Sequence, residues 1–221
     1  MNRSDKKKSG KTELVERSGR WGRELGVLGV LLGALLILPG CSESDRPLES
    51  PVRFDGNIFG TFYQVTIMDP LTQGESLELE EGFKAELESV DQAMSTYRDD
   101  SELIAFNEAP VDEWQPLSNE LIEVLAISQS VAEASQGAFD ITVGDLVNLW
   151  SFGPGARPEE VPADALLAEQ LARVGFDAVE LDSQNMQARR TRDVFVDLSG
   201  VAKGHATDRV ATYLDQQGIE H

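Results

Sequence analysis

Apolar positions fall into a few periodic runs along the 221-residue chain. Residues 25–38 read LGVLGVLLGALLIL and carry no charge. Residues 59–68 alternate, with Tyr63, Val65 and Ile67 on one face, and this predicts a strand. Asp69-Pro70 then starts a turn. From Ser76 the apolar positions Leu79, Phe83, Leu87, Val90 and Met94 step by 4, 4, 3 and 4, which predicts an amphipathic helix. Ser118 is placed as an N-cap, with Leu117 and Ile122 as a hydrophobic staple. The helix that follows should end near Ser135, with Gly137 past its C-terminus. Residues 163–174 predict a third helix stopped by Gly175, and residues 179–181 and 194–198 predict strands. A last helix opens at Ser199 or Gly200, carries Ala206, Val210 and Leu214 on one face, and closes at Gly218. Helices and strands mix without a regular βαβ alternation. The expected fold class is therefore α+β, a mixed or antiparallel sheet with packed helices, and not a doubly wound sheet.

Charge divides the chain sharply. Residues 1–24 hold eight Lys or Arg against four acids, and the uncharged run follows at once. A basic segment before a short apolar run reads as a secretory signal, because a comfortable membrane span needs about 20 residues. The run ends in Leu38-Pro39-Gly40-Cys41, which resembles the bacterial lipoprotein box and contains the only Cys of the chain. Residues 1–40 are thus expected to be a lipoprotein signal peptide, with Cys41 the lipidated residue. A lone Cys also excludes an intramolecular disulfide and multi-cysteine metal sites. Residues 41–54, polar and with two prolines, read as a flexible tether. Residues 55–221 remain for the folded part.

After Cys41 the balance is 35 acids against 11 bases, and only Lys84 and Lys203 remain as lysines. Such acidity argues against nucleic acid, which demands a positive surface. An anionic ligand would need metal ions, backbone N–H groups or a few placed cations.

Four segments put polar or glycine residues where a simple core would not: FGTFYQVTI (59–67), MSTYRDDSELIAFN (94–107), GAFDITVGDLVNLWSFGP (137–154) and VDLSGVAKGHATDRV (196–210). In the last, a strand turns through Ser199-Gly200 into a helix, an arrangement suited to phosphate. Lys203 lies in the first turn of that helix, where the dipole disfavours a cation unless a partner compensates. Asp197 and Lys203 either pair and cap the helix or serve a ligand, and the segment leaves both open. Tyr97 and Phe139 could sandwich a flat heterocycle or belong to the core. Asp140 reads equally as a turn cap or a ligand contact, Trp114 and Trp150 as packing, and His205 as a helix-flank residue.

Together the four segments resemble the FAD:protein FMN transferase (ApbE) family from about Phe59 to the chain end, in the same order. The resemblance implies binding of FAD and Mg²⁺, and transfer of FMN to a Thr or Ser of an acceptor flavoprotein subunit in a membrane redox complex. It implies cofactor contacts at Phe59, where the family commonly has Met, and at Tyr97, Ala138, Phe139, Asp140, Asp197 and Lys203. It implies a Mg²⁺ ligand in the backbone carbonyl of Gly200. His205 stands where Tyr is common. The family continues well past Gly218, and the remaining metal ligands and the reaction centre are expected there. The 221 residues accordingly read as the N-terminal part of the transferase, inactive alone, and no catalytic residue is assigned within them. The alternatives are an FAD-binding or FAD-hydrolysing periplasmic lipoprotein, or a lipid-anchored binding protein without chemistry. The expected location is the periplasmic face of the inner membrane.

Overall fold

In the computed structural model, which describes residues 43–154 and 161–221, the chain divides into Met1–Arg46 and Pro47–His221. The expected signal peptide and Cys41 lie outside the described residues. Of the first unit only a 3-10 turn, Glu43–Asp45, and Arg46 are described. The second unit opens with a hairpin of β1 (Val52–Ile58) and β2 (Thr61–Ile67), paired antiparallel from Val52 opposite Ile67 to Ile58 opposite Thr61. The turn between them is Phe59-Gly60, with φ of 53° and 67°. Two successive left-handed residues match the twist of the flanking strands, which is why such hairpins favour glycine.

β1 begins inside the stretch expected to be tether. Leu48 N–H donates to Leu71 C=O at 2.8 Å, and Pro47 bridges Thr72. The segment VRFDGNI alternates, and Phe54 is buried edge-on against Phe83 with ring centroids 5.3 Å apart. That alternation, broken by polar Arg53, Asp55 and Asn57, is the physical reason it forms a strand.

Helix α1 (Gln73–Met94) starts three residues earlier than expected, because Thr72 and Glu75 form a reciprocal capping box. Its predicted seam is the core: Leu79, Phe83, Leu87, Val90 and Met94 are all buried. α1 packs on β1, on α2 (Glu102–Glu108) and on α3 (Asn119–Ala134). Ser118 caps α3 as expected, its Oγ accepting from Leu121 N–H at 3.2 Å. The Glu102 carboxylate takes hydrogen bonds from the Ser118 N–H and hydroxyl, tying the starts of α2 and α3 together.

A second antiparallel sheet has the order β3 (Gln115–Pro116), β5 (Gln187–Arg190), β4 (Val179–Asp182). Only β4 was legible in advance. Short helix α4 (Gly144–Leu149) lies within the segment 137–154 and α5 (Asp164–Leu171) follows it; α5 is shorter than the expected 163–174. Helix α6 (Ala202–Gln216) runs along α1 and ends before Gly218, whose φ is +82°. The architecture is the expected α+β, with antiparallel sheets and packed helices.

Residues 194–198 correct the sequence expectation. They are extended, and Val194, Val196 and Leu198 are buried, yet they join no β-ladder. Their backbone groups are met from elsewhere: Asp197 N–H donates to Ile141 C=O at 2.8 Å, and Phe195 C=O accepts from Gly144 N–H at 3.0 Å. Both groups of Val196 bond the Asn107 side chain, Nδ2 donating to its carbonyl at 2.9 Å and Oδ1 accepting from its N–H at 2.8 Å. Alternation identified the buried face but could not show that side chains would replace a neighbouring strand. Among the described residues no helix is long and apolar enough to cross a membrane.

The contact at Gly144 leaves no room for a side chain. A Cβ there would lie 2.6 Å from the Phe195 carbonyl oxygen, which is backbone and cannot rotate away. Gly144→Ala is expected to destabilise the protein by about 1–3 kcal/mol. At this size that lowers Tm by roughly 2–12 °C. An unchanged Tm in thermal unfolding by circular dichroism would show that the two segments are free to separate.

Candidate active site

Tyr97, Ala138, Phe139, Asp140, Asp197, Gly200 and Lys203, seven of the eight predicted contact residues, line one cleft of about 680 Å³. That volume lies in the range of small-molecule sites. The elements that bring them together are far apart in sequence: the turn after α1, the segment after α3, and the approach to α6.

Tyr97 stands on a braced turn. Its N–H donates to Ser95 Oγ at 3.2 Å, and Ser101 Oγ donates to Ser95 C=O at 2.7 Å. Next to it Arg98 pairs with Glu88, Asp91 and Asp100. Hydrogen bonds from Arg98 hold the Asp100 carboxyl below the usual carboxylate range, and the guanidinium is correspondingly raised by Asp100 and Glu88. The Tyr97 ring is half exposed and lies over the hairpin turn, where a Cβ on Gly60 would be 3.4 Å from it.

Phe139 lines the same cleft, against Gly200. A Cβ on Gly200 would sit 3.2 Å from the Phe139 ring, so the glycine lets the ring close on the turn before α6. Asp140 is a cap: Oδ1 accepts from Thr142 N–H at 2.8 Å and from Thr142 Oγ1 at 2.7 Å. Thr142 Oγ1 in turn accepts from Gly175 N–H at 2.9 Å. The cap and the cleft position coexist in this one residue.

Asp197 does not pair with Lys203. Its Oδ1 accepts from Ser199 N–H at 2.7 Å and shapes the turn into α6. Among the described residues no hydrogen bond or ion pair engages the Lys203 ammonium, and Lys203 is the only cation lining the cleft. The N-cap of α6, Val201, makes no side-chain cap, and the first turn holds no acid. A cation and an uncapped helix start thus converge where an anion would be stabilised.

Phe59 is the exception. It has a φ of 53° in the hairpin turn, packs on the core and lines a neighbouring groove of about 380 Å³. Lys203 borders both cavities. His205 lines neither; its Nε2 lies 3.1 Å from Glu120 Oε1 and ties α6 to α3. Trp114 carries the Arg189 guanidinium over its ring at 4.7 Å, and Trp150 is partly exposed. Among the described residues no three His, Cys, Asp or Glu groups cluster as metal ligands would.

Residues 59–221 match the model of the ApbE family. The chain belongs to the ApbE family. It is 38% identical over 192 residues to an FAD:protein FMN transferase of Vibrio cholerae serotype O1, covering 87% of this chain and 56% of that one. It is 34% identical to an FAD:protein FMN transferase of Klebsiella pneumoniae over 86% of its own length. The solved flavin transferase ApbE from Vibrio cholerae superposes with a TM-score of 0.72 at 36% identity, covering 78% of this chain and 55% of that one. The apo flavinyl transferase ApbE of Pseudomonas stutzeri gives 0.69 at 29%, covering 77% of this chain and 55% of that one. The chain spans about 55% of the length of these relatives.

Within this ApbE cleft the apolar walls were not foreseen. Val143, Leu146 and Val147 come from the start of α4 and the turn before it, and Leu171 and Val174 from the end of α5 and beyond. Asn107, which holds Val196, was also passed over. The spacing of Val143, Leu146 and Val147 is a helical face, a signal that the glycines around it obscured.

Proposed function

We propose that this ApbE-family chain binds FAD in the cleft and serves the transfer of FMN from FAD to a Thr or Ser hydroxyl of an acceptor flavoprotein subunit. The observation that carries the reading is the meeting of Tyr97, Phe139, Asp197 and an unpaired Lys203 in one cleft of a chain homologous to FAD:protein FMN transferases. Two aromatic faces suit a flat ring system, offset stacking being favoured by the ring quadrupole. Lys203 and the start of α6 suit a diphosphate.

In the proposed reaction the acceptor hydroxyl oxygen bonds to the FMN phosphorus of FAD. The bond from that phosphorus to the bridging oxygen breaks, and AMP leaves with that oxygen. The hydroxyl proton goes to a base that the described residues do not supply. Lys203 and the α6 amides would neutralise the diphosphate, and the aromatic walls would exclude water from the flavin.

Mg²⁺ dependence belongs to the same proposal, with the Gly200 carbonyl as one ligand. The described residues do not complete the site. Mg²⁺ demands near-octahedral oxygen coordination, and beside Gly200 the carboxylates lining the cleft are Asp140 and Asp197, each of which spends Oδ1 on a neighbouring N–H. We therefore propose that residues 1–221 alone bind FAD without transferring FMN. A protein that binds or hydrolyses FAD and serves no transfer at all is the second reading, favoured by the same donor count. Lipidation at Cys41, anchoring to the membrane and residence on the periplasmic face of the inner membrane complete the proposal; they rest on the N-terminal charge pattern and the lone Cys.

Three measurements test it. Tyr97→Ala should remove a stacking contact of about 0.5–1.5 kcal/mol and weaken FAD binding roughly three- to tenfold. Flavin fluorescence titration reads this, and unchanged dissociation constants for both Tyr97→Ala and Asp197→Ala would move the site elsewhere. Incubating the 221-residue chain with FAD, Mg²⁺ and an acceptor subunit should give no covalent flavin on a denaturing gel. A fluorescent acceptor band would show that these residues do complete the metal shell. Cys41→Ser should abolish lipid labelling and membrane retention; a variant that stays labelled and membrane-bound would defeat the anchor.

A further inference from the structure

Asn107 sits on α2, is buried, and lies 89 residues from the backbone it holds. Its amide makes two hydrogen bonds to one residue, Val196, donating to the carbonyl and accepting from the N–H. That is the pairing a neighbouring strand's peptide group would provide. On the opposite edge of the segment, Asp197 N–H bonds Ile141 C=O, next in sequence to the cleft residue Asp140. Residues 196 and 197 are thus clamped from both sides. The Asp197 carboxylate leaves that clamp into the cleft and fixes the Ser199 N–H of the turn carrying Gly200 and Lys203.

We infer that Asn107 is a positioning residue for the flavin site, acting through Val196 on Asp197; this rests on the reading of the cleft as an FAD site. Asn107 does not line the cleft. Its contribution to ligand affinity is transmitted by the peptide that it holds. Replacing it frees residue 196 and lets Asp197 and the Ser199-Gly200 turn drift from the place where they meet the ligand.

A thermodynamic cycle separates this from general loosening. FAD dissociation constants are measured by flavin fluorescence for the wild type, Asn107→Ser, Asp197→Ala and the double variant, with near-UV circular dichroism confirming the fold of each. The Ser hydroxyl is too short to serve both groups of Val196. Asn107→Ser is expected to weaken binding about tenfold when Asp197 is present and less than about twofold when it is Ala, because contacting or networked residues couple. Equal losses in both backgrounds, or wild-type affinity in Asn107→Ser, would overturn the inference. Should Asn107→Ser not fold, Asn107→Gln carries the same cycle, since it keeps an amide donor and acceptor but displaces both from Val196 by one methylene. Amide exchange by NMR reads the clamp without a ligand. Faster exchange confined to Val196 and Asp197 in the variant supports it, and unchanged exchange overturns it. If the wild type itself fails to bind FAD, the functional reading falls, and the exchange result alone decides the clamp.

Discussion

The constraint on which this fold turns is that buried backbone must be hydrogen-bonded. Residues 194–198 run through the interior with Val194, Val196 and Leu198 buried, and no strand lies beside them. An unpaired peptide group there costs about 1–3 kcal/mol. Several such losses would consume a domain's whole stability of about 5–15 kcal/mol. The structure meets the demand piecemeal: Arg190 at the Val194 carbonyl, Gly144 at Phe195, Asn107 at Val196, Ile141 at Asp197 and the α6 start at Leu198. Three of these bonds also draw a cleft-forming segment inward. Gly144 brings α4, Ile141 brings Asp140, and the α6 start brings Lys203. The cleft is thus a by-product of satisfying one stretch of peptide.

The electrostatics are local. Residues 42–221 are strongly acidic, and a body of that sign repels a diphosphate at long range. Guanidinium groups beside cleft residues are already committed, Arg98 next to Tyr97 to Asp100 and Glu88, and Arg173 next to Val174 to Glu169 at 2.7 Å. Those pairs brace turns; they do not bind. Lys203 and the uncapped start of α6 are left to receive negative charge, which concentrates selectivity in one helix turn. His205, two residues on, faces the other way and is spent on Glu120.

Much of this was legible in the chain. The 4, 4, 3, 4 spacing of α1 gave the core seam, because a helix buries one stripe and no other element competes for it. Ser118, Gly137 and Gly218 marked helix boundaries through capping and left-handed geometry. Segments whose glycines and polar groups made no sense as core pointed to the region, and the resemblance to the ApbE family picked the seven cleft residues within them. What stayed hidden depends on partners distant in sequence. β5 and β3 are short and polar, held by pairing with β4 and not by their own pattern. β1 was masked by two flanking prolines, although VRFDGNI alternates as plainly as β2. The Thr72-x-x-Glu75 box was present and overlooked. Phe59 was named as a flavin contact by resemblance, and a linear string does not reveal that it packs on the core and lines the neighbouring groove. Asn107 resembled any polar residue near the end of a helix; only its contact with Val196 shows what it does.

The hairpin and the cleft share a wall at Tyr97, whose ring rests on Gly60. A two-stranded hairpin is marginal by itself in water, so the β1–β2 turn borrows order from whatever steadies that ring. A ligand held against Tyr97 steadies it, and any species that binds only the ordered form must shift the opening equilibrium by mass action. Protection of the Phe59-Gly60 turn from a protease therefore becomes a gauge of cleft occupancy, read at a strand reversal.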